Sequence, residues 1–391
     1  MTRVRTLVLV LAGGAGGRLE LLTRERAKPA VPFAGTHRLI DFPLSNAHNA
    51  GLHDVWVVQQ FNPISLSDHL ANGRPWDLDR TNGGLLILPP RLGHDEREGF
   101  AGGTADVLWR NAPMIREFAP EALVVVSADA VYALDYGELV EEHVEAGSGV
   151  TMVTTTVDVH EAGRYGVVHT GDGRVREYVY KPDEPRGDLV SNEVFVFHPA
   201  LLLDRLDELG EENQGQDVGH ALLPALVRDG CVREHRFNGF WRDVGTVDAY
   251  WACHQELLDD PPPIHLDDPA WPILTQTAGG RGPARVLAGA VIKQSLLASA
   301  ARVAGRVERS VIGRGAVVEC NATVRESVVL PGAVVRAGAT VERAILDDRV
   351  EVGRDARVGG PDGEVALLGL ATRVRDRAEL PAGARAPQTE H

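Results

Sequence analysis

Apolar side chains recur at a six-residue spacing through the C-terminal part of the sequence, and glycines and other small residues fill the gaps between them. The three series are Val318, Val324 and Leu330; Val329, Val335 and Val341; and Leu346, Val352 and Val358. A period of six is typical of a parallel β-helix, in which flat faces stack and bury ladders of aliphatic side chains. An antiparallel sandwich would instead alternate strictly, with polar turns at roughly 8–12 residues. We therefore expect a β-helix over residues 284–391.

Short runs rich in β-branched residues alternate with longer amphipathic segments over residues 1–258. The runs TLVLVLAGG, DVWVVQQ, ALVVVSADA and GVTMVTTTV are typical of buried strands, and DYGELVEEHVEAG has a helical period. This alternation predicts an α/β fold with a Rossmann-like, mixed but mostly parallel sheet. The turn signal TGDGR favours antiparallel pairing toward one edge. Residues 259–283, which begin with DDPPPIHLDDPAWP, are assigned to a linker.

Composition argues against several classes of protein. The formal net charge of -15 gives no overall basic field, so nucleic acid is not expected as a partner. No segment reaches the roughly 20 consecutive apolar residues that a membrane span needs. The apolar run near the N-terminus is short for a signal peptide and is better explained as a strand. Three widely spaced cysteines offer neither a metal motif nor a disulfide framework. These features predict a cytoplasmic protein with no membrane partner.

Four glycines and one arginine lie within LAGGAGGRL, directly after the first predicted strand. The loop is not a Walker motif, because Arg18 and Leu19 stand where lysine and serine or threonine are required. It is not a Rossmann fingerprint either, since Leu19 occupies the place of the third glycine. Its backbone N–H groups could bind an anion, with Arg18 and Lys28 offsetting the charge of a triphosphate. The alternative is a tight turn with a solvent-facing arginine.

Residues 11–52 contain the longest recognisable motif, LAGGAGGRLELLTRERAKPAVPFAGTHRLIDFPLSNAHNAGL. Shorter motifs follow it in order, namely GGTADVL, SADAVY, YGVV, YKP, SNEVFVF, DVGHALLP and WRDVGTVDAYW. Together these motifs closely resemble the signature of the glucose-1-phosphate adenylyltransferases, which are sugar-nucleotide pyrophosphorylases. The linker and the repeat region match as well, so the resemblance covers almost the whole sequence. It implies a nucleotidyltransferase domain followed by a C-terminal left-handed β-helix.

The resemblance also implies a reaction. A phosphate oxygen of glucose 1-phosphate attacks the α-phosphorus of ATP in line, which gives ADP-glucose, for glycogen or a related glucan, and pyrophosphate. Such a transfer depends on positioning and charge neutralisation rather than on a strong protein base. The implied cofactor is Mg²⁺. The implied partners are ATP, glucose 1-phosphate and possible small-molecule allosteric effectors, and the implied assembly is a homotetramer or a hetero-oligomer with a paralogue.

Two aspartates match the family residues that hold Mg²⁺. Asp129 ends the run LVVVSAD, and Asp243 lies in WRDVGT. Carboxylate oxygens suit this ion, which keeps several waters and takes one or two carboxylates from a protein. With Arg18 and Lys28 these aspartates form the implied catalytic set. The alternative is that an aspartate at a strand end only caps the following turn.

The remaining implied roles are in binding. Lys181 matches the family lysine that binds the phosphate of glucose 1-phosphate, and a chain with only three lysines favours a function for it over a surface turn. Lys293 matches no motif and is expected to be structural. The implied nucleotide-binding residues are Leu11, Ala12, Gly13, Gly14, Gly16, Gln60, Gly103 and Thr104. The implied sugar-phosphate-binding residues are Ala101, Gly166, Tyr180, Lys181, Ser191 and Trp241.

Several positions depart from the family pattern. Tyr180 stands where a glutamate would bind sugar hydroxyls, and Glu25 stands where a lysine is associated with activators. The other departures are Ala15, Gly17, Ala101 and Ala130. Each lost hydrogen bond to a charged partner is worth roughly 1.5–3 kcal/mol. Three hypotheses therefore stand: the adenylyltransferase itself, a weak or non-catalytic regulatory homologue, and an enzyme for another nucleotide or sugar, such as dTTP, UTP or glucosamine 1-phosphate.

Overall fold

The structure is a computed structural model. It describes residues 4–14, 16–89, 101, 103–210, 216–276 and 282–387. Ala15 of the glycine-rich loop and residues 277–281 of the predicted linker lie outside the described residues. Across the described ranges, no helix combines the length and the hydrophobicity needed to cross a membrane.

Among the described residues before position 257 there are thirteen strands and eight α-helices. The strands are β1 Thr6–Ala12, β2 Pro32–Phe33, β3 His37–Arg38, β4 Asp54–Gln59, β5 Gly84–Leu88, β6 Ala122–Ser127, β7 Ala130–Tyr132, β8 Val150–Thr156, β9 Gly166–Gly171, β10 Arg174–Tyr180, β11 Leu189–Phe197, β12 Val232–Arg236 and β13 Trp241–Asp243. The helices are α1 Asp41–Asn49, α2 Pro63–Leu70, α3 Thr104–Phe118, α4 Tyr136–Glu145, α5 Val159–Ala162, α6 Pro199–Leu209, α7 Leu222–Arg228 and α8 Val247–Glu256. Short 3₁₀ segments span Gly17–Thr23, Lys28–Ala30 and Ala71–Trp76.

Nine of these strands form one sheet in the order β5-β4-β1-β6-β11-β8-β12-β10-β9. Strands β11 and β10 run antiparallel to their neighbours, and the other strands share one direction. This confirms the predicted mixed, mostly parallel sheet. Strands β1 and β6 are adjacent, with Leu11 beside Ser127 at their carboxyl ends. The glycine-rich loop and the aspartate that follows β6 therefore leave the sheet at the same place, where ligands bind in folds of this kind.

Strand β1 is apolar on both faces because layers of side chains cover both faces of the sheet. Leu7 and Leu9 pack into the core on one face. Val8, Val10 and Ala12 pack into the core on the other. Such burial on both sides explains why this strand appears in the sequence as a continuous apolar run rather than as an alternating one.

Eighteen short strands form the C-terminal part. They are β14 Arg285–Val286, β15 Val291–Lys293, β16 Leu296–Leu297, β17 Arg302–Val303, β18 Arg306–Glu308, β19 Val311–Ile312, β20 Val317–Val318, β21 Thr323–Arg325, β22 Val328–Val329, β23 Val334–Val335, β24 Thr340–Glu342, β25 Ala344–Leu346, β26 Glu351–Val352, β27 Arg357–Gly359, β28 Ala366–Leu368, β29 Arg373–Val374, β30 Glu379–Leu380 and β31 Arg385–Ala386. Every third strand belongs to the same sheet, which gives three parallel six-stranded sheets. This arrangement is the predicted β-helix.

The coil length explains the phase slips in the six-residue pattern. Val318 pairs with Val335, and Val335 pairs with Val352, so one coil takes 17 residues rather than 18. The shorter step in each of these coils lies between the second and the third strand, since Val324 and Val329 are five residues apart and Val329 and Val335 are six apart. For that reason Val329, not Leu330, continues the internal ladder after Val324. Leu330, which the sequence pattern assigned to that series, is instead buried against the N-terminal part.

The two parts of the chain share a core. One outer face of the β-helix packs against aromatic residues of the N-terminal part, so the strands of that face are buried on both sides. The residues involved on the β-helix are Val311, Val328, Ile345 and Leu367, and their partners include Phe33 and Tyr250. An ion pair lies in the same interface, where Arg26 Nη1 is 2.8 Å from Asp347 Oδ1. The β-helix therefore holds the segment 26–33 in place from behind.

Candidate active site

A cleft of about 470 Å³ opens at the carboxyl ends of β1 and β6. Most of the residues that the sequence assigned to catalysis or binding line it. These are Leu11, Gly13, Gly14, Arg18, Lys28, Gln60, Ala101, Gly103, Thr104, Asp129, Tyr180, Lys181, Trp241 and Asp243. Four predicted residues are not part of the lining, namely Ala12, Gly16, Gly166 and Ser191. Segments spread over more than 230 positions therefore meet in one cavity.

Two carboxylates and one ammonium meet at the floor of the cleft. Lys28 Nζ lies 2.6 Å from Asp129 Oδ2 and 3.4 Å from Asp243 Oδ1. Asp129 follows β6 directly, and Asp243 is brought beside it because β13 pairs antiparallel with β7, with Asp243 opposite Ala130. Two elements that are far apart in sequence thus place both acids on one cation.

The electrostatics of this group favour the charged forms. Burial alone would lower the pKa of the Lys28 ammonium, but the charges of Asp129 and Asp243 outweigh burial and raise the pKa. Burial would likewise raise the pKa of Asp129, yet Lys28 and a hydrogen bond from the Ser127 hydroxyl lower it. The lysine therefore remains protonated and Asp129 remains ionised at neutral pH.

The same two carboxylates fit a divalent cation. Both already accept from one cation, which shows that their oxygens converge. Within the described ranges, no cluster of three or more acids, histidines or cysteines could hold a metal. A cation bound here would therefore take two protein carboxylates and complete its shell with water and phosphate oxygens, which is the ordinary environment of Mg²⁺ beside a nucleotide.

The glycine-rich loop lies directly above this group. Gly16 has a φ of 67°, in the left-handed region that side chains disfavour. A Cβ atom there would also come within 3.0 Å of Lys28 Cβ. Gly16 thus lets the loop pass over Lys28. Arg18 is exposed and lines the cleft. It forms no hydrogen bond or ion pair with any residue that the structure describes, so its guanidinium is available to an anion.

The opposite wall is built around Asp217. Its carboxylate accepts from the backbone N–H of Thr104 at 3.1 Å, at the start of α3, and from Tyr180 Oη at 2.9 Å. Gly103 precedes the helix, and a Cβ there would come within 2.2 Å of the Gln216 backbone. This network joins the GGTADVL, YKP and DVGHALLP motifs. It also uses the Tyr180 hydroxyl as a donor to the protein.

Two predicted sugar-binding residues act from behind the wall. A Cβ atom on Gly166 would come within 2.4 Å of the Tyr178 ring, so Gly166 makes room for that ring, which lines the cleft. The Ser191 hydroxyl accepts from the Glu193 backbone N–H at 3.3 Å. Lys181 itself is exposed, and its ammonium lies 4.5 Å from the centre of the Tyr180 ring. Lys181 is therefore free to reach an anion in the cleft.

The positions that depart from the family pattern are spread unevenly. Ala101, Ala130 and Tyr180 line the cleft. Gly17 lies at its edge, and a Cβ there would meet nothing within 4 Å. Glu25 is exposed. The substitutions thus alter the walls of the cleft and leave its charged floor intact.

Sequence analysis missed four lining residues that carry a charged or amide side chain. Arg164 donates to Asp243 Oδ2 at 3.1 Å, and Asp217 organises the wall described above. Asn192 and Glu193 line the cleft beside Lys181. All four lie inside or next to quoted motifs, at the edge of YGVV, in SNEVFVF and in DVGHALLP. For Asn192 and Glu193 the residue type was the available signal, since charged or amide side chains inside a strand motif are unusual.

Comparisons with known proteins agree with this geometry. The Nucleotidyl transferase family matches residues 7–260, and the GlmU-like, C-terminal hexapeptide family matches residues 283–364. A glucose-1-phosphate adenylyltransferase of Thermomicrobium roseum is 43% identical over 295 residues, which cover 75% of this chain and 68% of that protein. The enzyme of that name from Thermotoga maritima is 40% identical over 324 residues, covering 80% and 76%. The one from Acetivibrio thermocellus is 34% identical over 367 residues, covering 92% and 84%.

Proposed function

The chain belongs to the glucose-1-phosphate adenylyltransferases, a family of nucleotidyltransferases, and from this premise we propose that it transfers AMP from ATP to glucose 1-phosphate and releases pyrophosphate. The observation that supports the proposal most directly is the convergence of Asp129 and Asp243 on Lys28 in the cleft. The resulting ADP-glucose would serve the synthesis of glycogen or a related glucan.

In the proposed mechanism the protein positions two phosphates and neutralises charge. Asp129 and Asp243 would hold Mg²⁺, and this ion would supply positive charge for the phosphate oxygens. Arg18 and Lys28 bind the triphosphate, where charge grows on the departing pyrophosphate. Lys181 binds the phosphate of glucose 1-phosphate on the far side. Arg164 keeps Asp243 oriented through its hydrogen bond. The reaction needs no strong base, because the attacking phosphate oxygen is already an anion.

The two walls of the cleft are proposed to bind different substrates. Gly103 and Thr104 adjoin the Asp217 network, where the two walls meet. Gln60 and Ala101 lie next to the glycine-rich loop, which suits the nucleotide. Gln60 is held there by a 3.4 Å hydrogen bond to the Ala101 carbonyl. Tyr180, Lys181 and Trp241 belong to the opposite wall, which suits the sugar phosphate. This division keeps the nucleophile and the leaving group on opposite sides of the α-phosphorus, as an in-line displacement requires.

We propose the same division of the chain that its sequence suggests, with a catalytic domain over 1–258, a linker over 259–283 and a β-helix domain over 284–391. The gap between α8 and β14 supports it, since it is rich in proline and contains no regular element within the described residues.

We propose that the enzyme is a cytoplasmic homotetramer that responds to small-molecule effectors. Exposed apolar side chains on the first coil of the β-helix, Val286, Val291 and Leu296, support assembly through that end. A mass in solution of four 42.1 kDa chains is expected, and a monomer at micromolar concentration would contradict it.

The test of the proposed function is a panel of nucleotides against sugar 1-phosphates with a pyrophosphate readout. We expect release with ATP, glucose 1-phosphate and Mg²⁺, at a kcat/KM about tenfold or more above that with UTP, dTTP or glucosamine 1-phosphate. Removing the metal with a chelator should abolish the signal, because two carboxylates and bound phosphates otherwise repel each other.

Each alternative has its own outcome in this panel. A higher rate with another pair would identify a different nucleotide or sugar. No release with any pair would overturn the enzymatic proposal and favour a regulatory subunit. Full activity of the purified homo-oligomer would exclude the regulatory alternative.

A further inference from the structure

Strand β11 is interrupted where it borders the cleft. Its register against β8 shifts between Ser191 and Phe195, and Glu193 lies in this shift with a φ of 61°. That conformation suits glycine and is disfavoured for a residue with a side chain. Two local hydrogen bonds hold it, from the Glu193 N–H to Ser191 Oγ at 3.3 Å and from the Val194 N–H to Asn192 Oδ1 at 3.2 Å. The backbone is thus fixed in a strained form that places Glu193 in the cleft.

The Glu193 side chain is a negative group in a cleft otherwise prepared for phosphates. It is open to the solvent of the empty cleft, and a bound ligand would enclose it. An ionised carboxylate is not a suitable partner for phosphate oxygens, since like charges repel. Within the described ranges it does not complete a three-acid metal site either.

Two hydrogen-bond donors in the same cleft as Glu193 lack partners among the described residues. Asn192 Nδ2 and Trp241 Nε1 are buried and make no hydrogen bond with any described residue, although both side chains belong to the cleft lining. Asn192 is 2% exposed and Trp241 is 6% exposed. The Trp241 ring is held by an edge contact with Tyr165 at 5.3 Å. Buried donors without partners are costly, so a ligand that accepts from them would gain affinity.

The cleft thus offers one hydrogen-bond acceptor, two donors and the Lys181 ammonium. This combination suits a ligand with a hydroxylated ring and a phosphate group. A hydroxyl group donates one hydrogen bond and accepts others. Glu193 can only accept when ionised, and the Asn192 amide and the Trp241 indole supply the donors. Tyr180, the other polar side chain of this wall next to Lys181, already donates its hydroxyl to Asp217.

We propose that Glu193 determines specificity for the sugar by accepting hydrogen bonds from ring hydroxyls of the hexose 1-phosphate, with Asn192 and Trp241 donating to the same ring. This inference rests on the proposed function. It explains the strained backbone at Glu193 by a role in substrate recognition. It also predicts that replacing Glu193 with glycine leaves the protein as stable or more stable and weakens its affinity for the sugar.

The test uses Glu193→Gly and Glu193→Gln in the full-length enzyme. Glu193→Gly should raise the KM for glucose 1-phosphate about tenfold or more and change the KM for ATP less than about twofold, because a charged hydrogen bond to the sugar is lost. Its melting temperature should be equal to or above that of the wild type, since glycine suits this φ. The KM of Glu193→Gln for glucose 1-phosphate should lie between that of the wild type and that of Glu193→Gly. The matched control is Glu177→Gln on β10, an exposed acid outside the cleft lining that should change neither quantity.

Deoxy analogues identify the contact. Among 2-, 3-, 4- and 6-deoxyglucose 1-phosphate, at least one should lose about tenfold in kcat/KM with the wild type and less than about twofold with Glu193→Gly. Equal losses in both proteins for every analogue would overturn the proposal, as would an unchanged KM for glucose 1-phosphate.

Binding measurements separate this proposal from the proposed function. If the wild type releases no pyrophosphate in the panel, the reaction is wrong. The binding of glucose 1-phosphate, measured by calorimetry, then decides the role of Glu193. Binding that weakens about tenfold in Glu193→Gly supports it, and binding that is equal in both proteins or absent from both overturns it.

Discussion

Replacing Asp129 with asparagine should lower kcat by about 10²–10³-fold. Asp129 provides the closer of the two contacts to Lys28, at 2.6 Å, and is one of two carboxylates available to a divalent cation in the cleft. Asparagine keeps the size of the side chain but removes its charge, so both the Lys28 ammonium and the metal lose a partner where phosphate charge develops. The apparent Mg²⁺ requirement should rise in the same variant, which a magnesium titration of pyrophosphate release will show.

Asp172→Asn provides the matched control for this change. The Asp172 side chain is 94% exposed, on the turn between β9 and β10 and outside the cleft lining. We expect its kcat and its magnesium dependence to equal those of the wild type. Circular dichroism should show that Asp129→Asn remains folded. A folded Asp129→Asn variant with a kcat within threefold of the wild type would rule out the proposed role of Asp129.

The fold could be predicted to a large extent because its signals are local. Continuous apolar runs such as the one ending at Ala12 indicate strands covered on both faces, and the structure confirms this for β1. The six-residue period identified the β-helix. The coil length could not be obtained in this way, since whether Val329 or Leu330 enters the ladder depends on how each coil closes. How a coil closes depends on the packing of neighbouring coils, and the six-residue pattern of apolar residues does not show it.

The site could be predicted in part for a similar reason. Asp129 could be placed at the edge of the sheet because it closely follows a predicted strand, whereas Lys28 and Asp243 were predicted from the resemblance of their motifs to the family. The structure brings all three together. The position of Glu193 was not predictable, because a register shift in a strand depends on the pairing of both neighbours. Ser191 illustrates the opposite case. The sequence assigned it to the sugar pocket, whereas its hydroxyl holds the backbone that presents Glu193.

Contacts between the two parts of the chain were the least visible in the sequence. Arg26 and Asp347 are 321 positions apart, and neither belongs to a motif that suggests the other. Their side chains are 8% and 1% exposed. Arg26 also contacts a second acid, since its Nη2 atom lies 3.5 Å from Asp348 Oδ2. Arg26 is two residues from Lys28 in sequence, so this ion pair links the position of Lys28 to the β-helix.

Replacing Arg26 with alanine should lower the free energy of unfolding by about 3–5 kcal/mol, because the buried Asp347 carboxylate loses its counter-charge and the partly buried Asp348 loses one of its cations. Asp347 Oδ2 already lacks a hydrogen-bond partner among the described residues. Burial raises the pKa of Asp347 to about 6, while Arg26 opposes this rise. A carboxyl with a pKa raised by folding binds its proton more tightly when folded, so stability increases as the pH falls through about 6. Without Arg26 that pKa rises further, and the loss should be smaller at pH 5 than at pH 8 in urea denaturation.

Arg325→Ala separates the effect of burial from that of losing an arginine. Arg325 also contacts two acids, Glu308 at 3.3 Å and Glu342 at 2.8 Å, but its side chain is 44% exposed. Exposed ion pairs are worth about 0–1 kcal/mol, so Arg325→Ala should lose no more than that, with little dependence on pH. Adding Asp347→Asn to Arg26→Ala should recover stability at pH 8, since it removes one uncompensated charge. Equal losses in the two arginine variants, or no recovery in the double variant, would show that solvent reaches the interface and that the Arg26 pair contributes little to holding the two parts together.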